Sequence, residues 1–144
     1  MTNALKVKKA IVRQLKNQPS FRDVQVEIAH PGSEMDPSGC VFINSVRSTE
    51  RARSLGKAHR REELTVELAL VSQAITTDLL ESEERAWQML GWVEDAIAVD
   101  SSLDGLVLMS EVVSFDQRSF NGPERNVVEI TCEIKVLADK DLEN

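Results

Sequence analysis

The sequence predicts an α+β domain: a mostly antiparallel sheet with one long β-hairpin arm and two helices packed on the sheet. Three observations carry this. Residues 78–99, DLLESEERAWQMLGWVEDAIAV, bear one apolar stripe at helical spacing. Runs of strict alternation lie on both sides of that stretch, in Glu62 to Ser72 and in Asn126 to Leu137. Strand-like runs also follow one another directly, which favours antiparallel neighbours over a regular strand–helix alternation. A chain of 144 residues fits one domain, spanning 1–144.

The first element is a helix from Asn3 to Lys16. Ala4, Val7, Ile11 and Leu15 recur at spacings of three and four, Leu5 and Val12 widen the stripe, and Lys6, Lys9, Arg13 and Lys16 fill the opposite side. Lys8 falls near the stripe and has to snorkel outward. Pro19 ends the element. Val24, Val26 and Ile28 alternate with polar residues as a short strand, closed by His30-Pro31-Gly32, and Pro31 to Gly39 reads as a loop.

Cys40 to Arg47 and Glu62 to Ser72 are the next strands. The second is the clearer one: Leu64, Val66, Leu68 and Leu70 alternate with Glu63, Thr65, Glu67 and Ala69. The connection between them far exceeds the roughly 2–5 residues usual in a hairpin loop, so residues 47–61 are expected to form a projecting basic hairpin arm, into which the flanking strands can extend, that touches something outside its own domain. On the central helix, Leu79, Ala86, Met89, Leu90, Val93 and Ile97 share a face at about 100° per residue, with Gln88 and Asp95 opposite. Asp78 with Glu81 resembles a capping box, and Asp104-Gly105 supplies the turn beyond the helix. Leu106 to Phe115 reads as a strand, Asp116 to Arg125 as a second projecting loop, and Asn126 to Leu137 as the last strand with Val128, Ile130, Cys132, Ile134 and Val136 inward. The tail, 138–144, is acidic.

Hydrophobic residues make up 42% of the chain but aromatics only 4%, so the core is expected to be aliphatic. Cys40 and Cys132 lie far apart in strand-like runs without CxxC spacing, which predicts buried free thiols. No apolar run approaches the roughly 18 residues of a membrane span. His30, Glu34, Asp36 and His59 match neither zinc nor calcium spacing, and the six glycines make neither a GxGxxG nor a P-loop. There is no GxSxG and no Cys/His constellation. Glu62-Glu63 and Glu83-Glu84 read as a solvated edge and a helix start. The expectation is a protein that is not an enzyme and holds no metal or cofactor.

The net charge of −7 conceals strong segregation. Residues 1–22 carry a local +6, residues 47–61 a local +5, and residues 62–144 a local −14. This layout suits oriented self-association or docking to charged neighbours better than general polyanion binding. Arg47, Arg51, Arg53, Lys57, Arg60 and Arg61 are therefore candidate contacts to a sister subunit's acidic surface, which matches arginine's fork geometry for carboxylates. Arg118, Phe120 and Arg125, in the 116–125 segment, are candidate contacts to an axial partner. Trp92 points about 120° away from the buried stripe, and reads either as cover for the sheet edge or as an interface anchor. A nucleic-acid-binding module using the basic arm is the alternative from another class, although the arm has no aromatic for base stacking.

The order of elements, the HPGSE after the first strand, the basic hairpin leading into RREELTVELALVSQ, and ERAWQMLGWVEDAIAVDSSLDGLVL together resemble the tail terminator proteins of long-tailed bacteriophages over residues 4–137. The resemblance implies a structural protein of the virion neck, assembled in the host cytoplasm as a homohexameric ring at the head-proximal end of the tail. It would end polymerisation of the tail tube and join the tail to the head connector. Its partners would be its own copies, the tail tube protein and the head–tail connector protein, with DNA only passing through the lumen and no membrane involved. Another head-completion or connector protein is the nearest alternative.

Overall fold

Residues 2–52, 60–74, 79–121 and 125–139 are described by the structure, a computed structural model of the chain. The alternating runs become strands β1 (Gln25–Glu27), β2 (Cys40–Ala52), β3 (Arg60–Ala74), β4 (Met109–Asn121) and β5 (Asn126–Asp139). They form one sheet in the order β1-β2-β3-β5-β4. All pairings are antiparallel except β1 with β2, which is parallel. Helices α1 (Ala4–Lys16) and α2 (Leu79–Val99) pack on the sheet, which makes the α+β class expected from the sequence.

Alternation decides which face is buried. In β5 every second residue from Asn126 to Ala138 is buried, and in β3 Leu64, Val66, Leu68 and Leu70 face the same way. The register sets Leu68 opposite Cys132 and Leu70 opposite Ile130, so the two central strands present one continuous aliphatic surface. Helix α2 covers it with Ala86, Met89, Leu90, Val93, Ala96 and Ile97, while Gln88 and Asp95 stay exposed. Each fully buried large apolar side chain of this kind contributes about 1.5–3 kcal/mol. Helix α1 adds Val7, Ala10, Ile11 and Leu15. Gln14 ties the two helices together, its Nε2 donating to the carbonyls of Ala96 at 2.7 Å and Asp100 at 2.8 Å.

The chain leaves α2 through a turn built on Asp100. Its carboxylate accepts from the Ser102 hydroxyl at 2.6 Å, the Ser102 amide at 3.1 Å and the Asp104 amide at 2.9 Å, and these bonds hold its pKa below the usual value. Gly105 follows with φ of +80°. A Cβ there would meet no atom within 4 Å, so the cost of Gly105→Ala is purely backbone strain. The expected loss is about 1 kcal/mol, read as a lowered urea midpoint with unchanged slope. An unchanged midpoint would mean that the turn does not hold this conformation in solution.

Three expectations change. The 116–125 segment is not a projecting loop: β4 continues to Asn121 and pairs Asp116 with Thr131, Arg118 with Glu129 and Phe120 with Val127. The acidic tail begins later than residue 138, because Ala138 is buried opposite Glu62 and Asp139 lies opposite Arg61. The 47–61 segment keeps its expected strand extensions: the β2–β3 ladder runs without a break from Ser45 and Glu67 to Ala52 and Arg60. Residues 53–59 of the expected arm lie outside the described residues, as does Asp78 of the expected capping box.

Glu62 is the third. It is fully buried, not a solvated edge. Its carboxylate accepts hydrogen bonds from the Thr2 hydroxyl, the Ser48 hydroxyl and, at 2.8 Å, the Asn3 amide. It therefore sits at the N-terminus of α1, where the helix dipole favours negative charge, and binds that helix to β2 and β3.

Candidate interaction surfaces

Neither α1 nor α2 packs on the reverse face of the sheet. One end is covered by the segment after β1: Cys40, Phe42, Ala69 and Val71 form a small second core with Met35 and Val127 packed against it. His30 meets Phe42 edge-on at 4.8 Å, and the Gln73 amide donates to the Pro37 carbonyl at 2.8 Å. Elsewhere this face carries polar contacts, with Lys135 3.6 Å from Glu63, the Asn44 amide donating to Glu67 at 2.6 Å and the Ser114 hydroxyl to Glu133 at 2.8 Å. Arg47 stands exposed on this side.

The second surface runs along β4, an edge strand. Leu108, Met109, Val113, Phe115 and Phe120 are large hydrophobics left exposed there, Phe115 at 49% and Phe120 at 56%. Trp87 of α2, 40% exposed, meets Phe115 edge-on at 5.2 Å. Its Nε1 donates to Gln117 at 2.8 Å, and Gln117 donates in turn to Glu83 at 2.9 Å. This network fixes the strand against the helix while leaving both aromatic rings partly in water. A long apolar edge strand is a template for pairing with another chain.

The third surface is the basic side of α1. Lys6, Lys9 and Arg13 border an open groove of about 460 Å³ closed on its other side by Leu103 to Leu106.

The candidate contact residues are distributed among these features. Arg51 and Arg60 occupy ladder positions in β2 and β3, opposite Arg61 and Ala52. Arg61 is half-buried. Arg53 and Lys57 lie outside the described residues. Arg118 and Phe120 are exposed on β4, and Arg125 donates to Gln73 at 2.9 Å. Trp92 is half-buried, with Phe21 edge-on at 6.0 Å and the Arg85 guanidinium 5.2 Å above its ring, so it packs within its own chain over the flank of α2. The sequence reading passed over Trp87, although a tryptophan one position after the buried Ala86 falls on the flank of the helical stripe.

Among the described residues, no group of three or more His, Cys, Asp or Glu is placed to hold a metal ion, and no helix is long and apolar enough to cross a membrane. Cys40 and Cys132 are free and buried, as expected. Burial, with nearby carboxylates, pushes the Cys40 thiol up to about 11 and the Cys132 thiol up to about 12, so both stay protonated at neutral pH.

No protein-family model matches the chain, and no curated protein matches it. A solved structure does: a chain from the virion of a native gene transfer agent particle superposes with a TM-score of 0.58, covering 92% of this chain and 95% of that one at 12% identity. The two share a fold over nearly their whole lengths.

Proposed function

We propose that this protein is a structural component of a phage-like virion, and more specifically a tail terminator. Copies form a ring, hexameric in the family the sequence resembles, that caps the finished tail tube and joins it to the head connector while leaving a lumen for DNA. The observation that carries the reading is the end-to-end fold likeness to a chain of the gene transfer agent virion. The motif resemblance over residues 4–137 supports it independently, and the segregated charge suits a contact between unlike faces, which closes into a ring under rotation.

Light scattering on the purified protein, alone and with a tail tube protein, tests the proposal. A closed multi-copy species that halts tube elongation is the expected result. Charge reversal at Arg51 and Arg53 together should reduce the assembled fraction without unfolding the subunit. A protein that stays monomeric and leaves tube length unregulated would overturn the terminator reading. Joining of heads to tails without any effect on tube length would assign it to another neck component.

A further inference from the structure

Two sheet edges are open, and they differ in character. On one side β1 covers only Cys40 to Phe42 of β2, so from Ile43 to Ala52 that strand has no second neighbour among the described residues. Asn44, Ser45, Arg47, Ser48 and Thr49 are exposed along it. On the other side β4 has no second neighbour among the described residues from Met109 to Asn121, with exposed Glu111 and Asp116 and the apolar residues around Phe115. We propose that copies of this protein join head to tail by pairing β4 of one copy with the uncovered stretch of β2 in the next. This rests on the reading of the chain as a ring-forming subunit and names the surface that makes the ring.

Strand direction fits. β2 and β5 run one way, β3 and β4 the other, so a neighbour placed by rotation with the same strand sense sets its β2 antiparallel to β4. The alternation of the sheet continues across the boundary, and each contact removes two exposed edges.

The charges fit in register as well. Glu111 and Asp116 are five apart in sequence but lie opposite Lys135 and Thr131, four ladder steps, because the β4 ladder shifts between Val112 and Ser114. Arg47 and Arg51 lie opposite Thr65 and Arg61, also four steps. When Asp116 faces Arg47, Ser114 faces Thr49, both pairs on the reverse side of the joined sheet, and the ladder position of Glu111 falls opposite that of Arg51. Opposite charges directly across a ladder stabilise it. Pairing β4 with itself about its bulge would instead set Glu111 against Asp116, two like charges.

The apolar surface fits on the other side. In this register Phe115 lies opposite Ser48, which is bonded to Glu62 beside the start of α1, where Leu5 is exposed. Phe115 and Trp87 of one copy thus approach the start of α1 in its neighbour, and water leaves an apolar patch on both.

The test is a charge swap read by light scattering across a concentration series. Arg47→Asp and Asp116→Arg should each weaken assembly at least tenfold, and the double variant should recover most of the loss. Mild oxidation of Thr49→Cys/Ser114→Cys should give a covalent ladder of multimers, with none from either single variant. If the wild-type protein assembles but neither charge variant weakens it and the cysteine pair does not cross-link, the edge contact is wrong and the ring reading stands. If Ser114→Cys alone gives covalent dimers, the contact is β4 on β4 and the proposal falls. If the wild-type protein stays monomeric and the cysteine pair yields no intermolecular product, both readings fall together.

Discussion

Glu62→Ala is expected to destabilise the protein by on the order of 3 kcal/mol, because it empties a fully buried position and leaves the buried Asn3 amide without its acceptor, besides removing the bonds from the Thr2 and Ser48 hydroxyls. The Thr2 and Ser48 hydroxyls can turn toward other partners, but the Asn3 amide is fixed by the start of α1 and cannot. Loss of the carboxylate also removes the negative charge from the helix N-terminus. Glu62→Gln retains the shape and one acceptor. Its carbonyl oxygen can face the Asn3 amide while its NH₂ group meets the two hydroxyls, which rotate to accept. Its expected cost is smaller, about 1 kcal/mol. Equilibrium urea unfolding of both variants checks the ranking, and an alanine variant within about 0.5 kcal/mol of wild type would show that the cluster contributes little.

The same residue gives a pH signature. Burial raises the pKa of Glu62, but the hydrogen bonds from Ser48, Thr2 and Asn3 outweigh burial and leave it below the ordinary carboxylate value. A group whose folded pKa is depressed stabilises fully above its unfolded pKa, and that contribution disappears as pH falls through the folded value. Wild-type stability should therefore fall on acidification from the ordinary carboxylate range downward. The Glu62→Gln variant, with nothing to titrate there, should show a shallower decline.

Glu62 also shows what was legible in the sequence. Its parity with Leu64, Val66 and Leu68 puts it on the inward face, but its partners Thr2 and Asn3 are 60 and 59 residues away, and no local pattern reveals them. An acid at a strand end reads as solvated until a helix N-terminus is found resting on it. Helix faces and the inward face of β5 were legible because each has one buried side, so period 3.6 or period 2 is written directly into residue type. The far half of β4 was not. An edge strand exposed along most of its length, with a bulge at Val113 shifting its parity midway, has no alternation to display. The same exposure that hid the strand makes it a candidate interface. Alternation likewise gave the existence of β1 but not its parallel register, which depends on the covering segment between Ala29 and Gly39.

Leu68→Ala provides the contrast needed to interpret any assembly defect. Leu68 is buried on the central strand β3, between Ile43 of β2 and Cys132 of β5, beneath the two helices. Truncation removes the transfer free energy of its side chain and leaves a cavity that two strands hydrogen-bonded on either side cannot collapse into. The expected loss is about 3–4 kcal/mol, a large fraction of the stability of a domain this size. Assembly should fail in this variant only in proportion to unfolding, and be recovered under conditions that restore the fold. The edge variants behave in the opposite way: Asp116 and Arg47 are exposed, so their substitution should shift the unfolding midpoint by no more than about 0.5 kcal/mol while changing the oligomer. Urea unfolding measured at subunit concentrations too low for association separates the two classes. If Leu68→Ala unfolds with the wild-type midpoint, the layer of helices over sheet is not the core. If Asp116→Arg costs as much as Leu68→Ala at that dilution, Asp116 is a folding residue, and its effect on assembly says nothing about the edge.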